Sequence, residues 1–353
     1  MKIDGTCIGS NHDPFFIAEA GVNHNGSLDR AKKLIDVAAD AGADAVKFQT
    51  FSADRLVTPD ASTARYQESA TGETDQHEML KQYEIDRAKH RKLFDYCSEQ
   101  DITFLSTPFD PESADMLADL GVSAFKIGSG ELDNHPLLTH IAEYGLPMVV
   151  STGMGTMSEV RKAHNAVRSV SSDIDISFLH CTSAYPTPIT DVNLRAMETM
   201  SEEFPLPVGF SDHTTMPETT ALAVAAGACI VEKHFTVDST LPGPDHEASL
   251  EPDELCRAVA LVKQASAARG GPTKEPTANE LENLEQIRKG LYAATDIPAD
   301  TRITKAHIDI MRPAVGLSPQ QYDSVLGRRT TDVIDAGDPL TTANIDIESK
   351  EDD

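Results

Sequence analysis

Residues 15–50 read FFIAEAGVNHNGSLDRAKKLIDVAADAGADAVKFQT. The stretch opens on a short apolar run with the character of a buried strand. It then turns through a polar loop into apolar residues at helical spacing, Leu28, Ala31, Ile35 and Ala38. Ser27 stands where an N-cap is needed, with Arg30 beginning the next turn. A second short apolar run at 45–50 completes a strand, helix, strand unit of the kind that joins parallel strands.

The same unit recurs along most of the chain. Short apolar runs at 15–20, 45–50, 103–107, 124–128, 147–151, 176–180, 207–211 and 229–234 are expected strands. Amphipathic segments at about 78–99, 111–120, 136–144, 158–169, 193–203, 217–226 and 252–267 are expected helices. Eight alternations predict an α/β fold in which a parallel sheet, covered on both faces, closes into a (β/α)8 TIM barrel.

Polar residues gather at the C-terminal ends of these strands: Glu19; Lys47 and Gln49; Ser106 and Thr107; Lys126 and Ser129; Ser151 and Thr152; His180 and Ser183; Ser211, Asp212 and His213; Glu232, Lys233 and His234. A barrel brings all eight ends to one mouth, so these residues are expected to converge there, which an open doubly wound sheet would not achieve. Past this region GGPTKEP at 270–276 reads as a linker, and a polar helical stretch follows at 279–287. Residues 1–269 are therefore expected to form the catalytic barrel, 270–290 the linker and 291–353 a small separate domain.

Lys47 and Lys126, with the hydroxyls of Thr107, Ser129, Ser151 and Ser211, form a cationic, donor-rich set suited to a small dianion such as a phosphate ester. Barrel-end lysines can equally pair with carboxylates such as Glu19 and Glu131, and a Schiff-base lysine is a rival chemistry. His213 and His234 follow adjacent strands and could share a divalent ion, with Glu232 and Asp245 near in sequence. Two histidines with water and oxygen ligands suit Mn2+, Mg2+, Co2+ or Zn2+ without choosing among them. The Gly128-x-Gly130 and Gly153-x-Gly155 pairs complete neither nucleotide-binding pattern and are expected to let the backbone turn tightly beside an anion.

Taken together, FIAEAGVNHNG at 16–26, VKFQT at 46–50, FLSTPF at 104–109, FKIGSGE at 125–131 and STGM at 151–154 resemble the N-acetylneuraminate (sialic acid) synthase family. So do HCTSAYP at 180–186, GFSDHT at 209–214, VEKHF at 231–235 and GPDH at 243–246. IMRPAVGLSP at 310–319 resembles the SAF, or antifreeze-like, domain that follows the barrel in that family. The resemblance implies a transferase that condenses phosphoenolpyruvate with an open-chain N-acylated amino sugar. Lys47, Thr107, Lys126, Ser129, Ser151 and Ser211 would hold phosphoenolpyruvate, with Gln49, Ser183 and Tyr185 further substrate contacts. His213 and His234 would hold Mn2+, and Glu19, Glu131, Glu232 and Asp245 would orient the sugar, handle protons or stabilise positive charge. Arg312 would reach the sugar of the partner subunit in a domain-swapped homodimer.

Two positions depart from that pattern: Ser183 stands where some neuraminate synthases carry asparagine, and Ala70 where an asparagine is expected within residues 66–78. Both fall at expected substrate contacts and bring in a legionaminate or pseudaminate synthase, acting on a 2,4-diacetamido-trideoxy sugar, as the nearest alternative. A metal-dependent hydrolase and a non-catalytic carbohydrate-binding scaffold are the alternatives of a different class.

The chain has 353 residues, 40% of them hydrophobic, enough for one large and one small core. Residues 1–10 lack the basic start and apolar run of a secretory signal, and no apolar run of about 18 residues appears, so a soluble, cytoplasmic chain is expected. Five scattered cysteines without a C-x-x-C pair predict reduced, mostly buried thiols. With 57 acidic against 30 basic residues and a net charge of −27, neither nucleic acid nor an anionic membrane is an expected partner. The acidic excess is spread along the chain and predicts a halophilic surface whose self-repulsion needs screening. Thermal melting is therefore expected to move steeply upward from low to molar KCl; an unchanged midpoint would count against that reading.

Overall fold

A strand buried on both faces must present apolar side chains alternately to an interior and to an outer layer, and the eight central strands do so. The computed structural model describes residues 1–63, 68 and 71–346; Ala70 and the acidic tail at 348–353 lie outside them. The strands are β1 (Phe15–Gly21), β2 (Ala45–Thr50), β3 (Thr103–Pro108), β4 (Phe125–Ile127), β5 (Met148–Ser151), β6 (Ile176–Cys181), β7 (Val208–Asp212) and β8 (Ile230–His234). They form one parallel sheet in the order β3-β2-β1-β8-β7-β6-β5-β4, so the last strand pairs with the first. Among the described residues no ladder joins β3 to β4, which pack side by side and make this a nearly closed barrel.

Each strand is followed by helix: α1 (Leu28–Asp40) after β1; α2 (Ala53–Leu56), α3 (Gln76–Lys81) and α4 (Arg87–Glu99) after β2; α5 (Pro111–Leu120), α6 (His135–Ala142), α7 (Met157–Val170), α8 (Ala196–Glu203), α9 (Glu218–Ala225) and α10 (Pro252–Arg269) after the remainder. The Ser27 hydroxyl accepts from Arg30 N, as an N-cap should. The single helix expected at 78–99 is instead two. Asp86 caps α4 by accepting from Lys89 N, and Tyr83, buried between the two helices, packs with Met79, Leu80 and Phe51.

Outward-facing Phe16, Val46, Phe48, Phe104, Phe125, Phe178 and Phe210 pack under the helices as the main core. Inward-facing Phe15, Ile17, Ala45, Leu105, Ala124, Val149, Leu179 and Ile230 fill the lower barrel, and the hairpin of Lys2–Ile3 with Thr6–Cys7 adds Ile3 and Ile8 beneath them. Gly209 on β7 has no room for a side chain, because Leu179 and the Ile230 carbonyl occupy that space. One layer higher the interior switches to charged and hydroxyl side chains.

Strand alternation also corrects the expectation that every polar strand-end residue reaches the mouth. Ser106, Thr152, His180, Asp212 and Lys233 point outward, between sheet and helices. Ser106 joins Thr50 and His90 in a buried hydrogen-bond chain. The Thr152 hydroxyl donates to the Leu179 carbonyl, and His180 Nε2 donates to the Val192 carbonyl. Lys233 Nζ pairs with Asp212 at 2.8 Å, both side chains 0% exposed, and also donates to the Thr214 carbonyl.

Contacts divide the chain into Met1–Gly270 and Gly271–Asp353. In the second unit α11 (Ala278–Ile287) starts on a Thr277/Glu280 capping box. β9 (Gly290–Ala293) pairs antiparallel with β10 (Ile308–Met311). Its own core holds Leu291, Ile297, Ile303, Leu317, Val325, Ile334 and Leu340. Arg312 is exposed on this unit. Among the described residues no helix is long and apolar enough to cross a membrane. Cys97, Cys181 and Cys229 are buried, while Cys7 and Cys256 are exposed.

The buried Lys233–Asp212 pair provides a stability test, since removing one partner strands the other charge away from water. Asp212→Ala is expected to cost about 3–5 kcal/mol, while the double variant Asp212→Leu/Lys233→Met should recover more than half of that loss. Chemical denaturation measures both; equal losses in the single and double variants would refute the ion-pair account.

Candidate active site

The ladder registers place the charged layer. Glu19 lies beside Lys47 across β1 and β2, His234 beside Glu19 across β8 and β1, Ser211 beside Glu232 across β7 and β8, and Gln49 beside Thr107 across β2 and β3. Period-two alternation then aims all of them into the barrel. The result is a cavity of about 600 Å³ at the C-terminal end of the strands. Glu19, Lys47, Gln49, Thr107, Lys126, Ser129, Glu131, Ser151, Ser183, Tyr185, Ser211, His213, Glu232, His234 and Asp245 all line it. Arg312 belongs to the other unit and lies outside this set.

Lys47 Nζ is 2.9 Å from Glu19 and 3.6 Å from Glu232, and donates to Thr107 Oγ1 at 3.1 Å. Lys126 Nζ is 3.5 Å from Glu232 and donates to Ser151 Oγ at 2.6 Å and to the Ile127 carbonyl. Glu232 also accepts from the Ser211 hydroxyl at 2.8 Å. The lysines thus pair with Glu19 and Glu232, whereas Glu131, on the turn after β4, accepts from Asn134 Nδ2 at 2.6 Å. Ser129 Oγ accepts from Gly153 N at 3.0 Å and sits 3.1 Å from Cys181 Sγ. A side chain at position 153 would collide with Ser129, Ser183 and Cys181, so the glycine is what lets the β5 turn approach so closely.

Burial sets the protonation of the group and the lysines then divide it. Burial, only partly opposed by Lys47, raises Glu19 to about 7, and it raises Asp245 to about 6. Burial acts on Glu232 in the same direction, but Lys126 and Lys47 outweigh it and hold that carboxylate near 2. Burial also pulls Lys126 below the usual lysine range; for Lys47 the facing Glu19 and Glu232 overcome burial and raise it. Asp245, Glu19 and Gln49 converge over Gly21, where an added Cβ would lie 3.2, 3.4 and 3.6 Å from their respective side-chain ends.

The two histidine rings are 5.4 Å apart between centroids, with the Tyr185 ring tilted 35° against His213 at 4.3 Å. His213 Nδ1 donates to the Thr182 carbonyl at 2.7 Å, which fixes the proton there and leaves Nε2, 3.4 Å from Ser211 Oγ, with the free lone pair. Burial lowers His213 to about 4 and His234 well below its ordinary range, so both rings are neutral, the form that ligates a metal. His234 Nδ1 is buried with no hydrogen-bond partner among the described residues. This donor set fits a divalent ion through two imidazoles. Among the described residues no cluster of three or more His, Cys, Asp or Glu side chains completes a cage, so water or substrate would supply the remaining positions.

Part of the cavity was not legible as a site in the sequence. Val22, Leu56, Val57, Met79, Leu80 and Phe109 give one side an apolar wall, with Gln76 and Tyr83 beside them. These residues sit in the loops and short helices after β1, β2 and β3, and their spacing reads as ordinary core. The signal available was indirect: residues 51–102 form the longest excursion between expected strands, and long excursions at the active end of a barrel tend to line its site.

Residues 34–274 match the model of the NeuB family, and residues 288–346 match the SAF domain. The chain is 43% identical to the N,N'-diacetyllegionaminic acid synthase of Legionella pneumophila over 96% of both chains. It is also 43% identical to the N,N'-diacetyllegionaminic acid synthase of Campylobacter jejuni, over 89% of this chain and 95% of that one. The crystal structure of N-acetylneuraminic acid synthetase from Leptospira borgpetersenii, in complex with citrate, superposes with a TM-score of 0.72 at 36% identity, covering 81% of this chain and 95% of that one. With this match spanning most of the barrel, and a mouth that gathers the residues of the shared motifs, the chain belongs to the NeuB family.

Proposed function

We propose that the chain is a nonulosonic acid synthase that condenses phosphoenolpyruvate with an open-chain N-acylated amino sugar. The observation that carries the reading is the convergence, in one cavity at the barrel mouth, of two lysines and four hydroxyls with the carboxylates of Glu19, Glu232 and Asp245. The lysines and hydroxyls suit a phosphate dianion; Glu19 and Asp245 suit a sugar and a developing cation.

Lys47, Lys126, Thr107, Ser129, Ser151 and Ser211 hold phosphoenolpyruvate in this reading, with Lys126 and Ser151 already in contact on the phosphate side. C3 of the enol phosphate attacks the aldehyde carbon of the sugar, whose oxygen takes the C=O electron pair and a proton from a cavity carboxyl group or water, and C2 takes on positive character that ionised Glu19 and Glu232 offset. Water adds at C2, its proton passing to a cavity carboxylate. In the tetrahedral intermediate the C2–O bond to phosphate then breaks, inorganic phosphate leaving with that electron pair while the new C2 hydroxyl gives up its proton to become the ketone carbonyl. His213 and His234 would hold a divalent ion, taken as Mn2+, which when bound polarises the aldehyde oxygen. Glu131, Gln49, Ser183 and Tyr185 complete the substrate contacts. Residues 1–269 carry this chemistry, and 291–353, joined through 270–290, supply Arg312 to the partner subunit of a domain-swapped cytoplasmic homodimer.

A second reading of the acceptor, a 2,4-diacetamido-trideoxy sugar, draws support from the apolar wall, which suits a methyl and acetyl groups better than a hydroxyl-rich chain. It also draws support from Ser183 and from the two legionaminic acid synthases.

Phosphate release from phosphoenolpyruvate with Mn2+, offering N-acetylmannosamine and the 2,4-diacetamido sugars in parallel with mass detection of product, tests both. Sugar-dependent release with a condensed product is expected. Hydrolysis without phosphoenolpyruvate, or binding without turnover, would replace the reading by a hydrolase or a scaffold. Lys126→Met is expected to raise KM for phosphoenolpyruvate about 10- to 100-fold, the ~1.5–3 kcal/mol of a charge-assisted hydrogen bond, with less effect on the sugar. Because Asp245 and Glu19 are raised to about 6 and about 7, both are protonated in acid and ionise as pH rises. The sugar kcat/KM is thus expected to climb between about pH 5 and about pH 8, and a flat profile would remove these carboxylates from the mechanism.

A further inference from the structure

Asp245 lies on the long loop between β8 and α10, and the hydrogen bonds that hold this loop come from its neighbour, the loop after β1. Asn25 Nδ2 donates to the Pro242 carbonyl at 2.7 Å, and Asn25 Oδ1 accepts from His246 Nε2 at 3.1 Å. Asn25 Oδ1 can only accept, so His246 carries its proton on Nε2. Burial keeps that ring neutral, lowering it to about 4. Nδ1 then accepts from the Thr236 hydroxyl, 2.7 Å away and nearer than the Asp238 carbonyl, the other acceptor of that proton, at 3.2 Å. Gly243, at φ 152°, leaves the space this ring fills: an added Cβ would sit 2.7 Å from His246 Cδ2 and 3.1 Å from Asn25 Oδ1.

A second tie runs deeper. Asn23 Nδ2 donates to the Phe235 carbonyl at 2.8 Å and to Ser249 Oγ at 2.9 Å, and Ser249 Oγ donates to the Asp245 carbonyl at 2.6 Å. Asn23, Thr236 and His246 are all 0% exposed. The first tie holds Pro242 and His246 on either side of Asp245, the second holds the Asp245 carbonyl, and neither binds its carboxylate.

We infer that Asn25, Thr236 and His246 are positioning residues for Asp245, a clamp that fixes its carboxylate over Gly21 beside Glu19 without touching substrate. The inference rests on the catalytic reading of Asp245 given above. The clamp lies on the β1 and β8 side of the mouth, while Lys126 and Ser151 lie on β4 and β5. Loosening it therefore acts first on Asp245 and the sugar side of the site, and least on Lys126 and Ser151.

The test is steady-state kinetics of the full-length, Mn2+-loaded enzyme with KM measured for each substrate. Thr236→Val removes only the hydroxyl from a nearly isosteric side chain, and Thr236→Ser restores it. Asn25→Gly removes the side chain while keeping the left-handed backbone, φ 46°, cheap to adopt. Thr236→Val and Asn25→Gly are expected to lower kcat about tenfold and to raise KM for the sugar, as a small displacement of a reacting group does. KM for phosphoenolpyruvate should stay within about twofold and Thr236→Ser within about twofold of the unsubstituted enzyme throughout. Asp245→Asn, run alongside, separates the two claims. If it retains full activity, the catalytic reading of Asp245 fails. If it loses activity while Thr236→Val and Asn25→Gly do not, or if those variants raise both KM values together, the clamp is overturned.

Discussion

Charge buried in a barrel must be neutralised inside the barrel, and the arrangement of Glu19, Lys47, Glu232 and Lys126 is the solution on which this structure depends. Each ammonium faces a carboxylate within 3.6 Å, and Glu232 stands between the two lysines. Such a group contributes little net stability, because desolvation consumes most of its attraction. What it does is hold two cations and two anions at fixed points in a low dielectric, where they act strongly on a charged substrate. The apolar layer below it, from Phe15 to Ile230, is what makes this placement affordable.

That constraint explains why so much of the site was readable from sequence. A lysine inside an apolar strand is an anomaly, and two of them at matching depth, together with strand-end histidines, identify a barrel mouth before any coordinates exist. The strand positions followed from apolar runs, and each differs from its expected bounds by a residue at most. Which polar residues turn inward is harder to read, because adjacent residues at a strand end share the same composition and differ only in phase. Asp212 and Lys233 look like site residues in the sequence and are a sealed ion pair on the outer face; Ser211 and Glu232, one position earlier in each strand, are the ones that enter the cavity.

The excursion after β2 was opaque for another reason. Its apolar residues serve two purposes at once, packing α3 against the barrel rim and walling the cavity, and periodicity reports only the first. The break between α3 and α4 depends on Tyr83 being buried and on Asp86 capping the next helix, a choice made by tertiary packing over local propensity. The polar layer and the apolar wall together divide the cavity into a charged side and an apolar side, and only the first announces itself through unusual residues.

The pairing of β8 with β1 has a consequence for how the chain comes to be. β1 finds β2 early, since both lie near the N-terminus, but its second edge has no partner until Ile230–His234 has been made. Throughout synthesis of the intervening strands a seven-residue apolar ribbon, FFIAEAG, therefore carries an open row of hydrogen-bonding groups on a nascent chain. Glu19 lies within that ribbon, and a carboxylate on an otherwise sticky edge discourages neighbouring chains from docking there. The same residue that ends up in the finished cavity can thus serve first as a guard on an unfinished one.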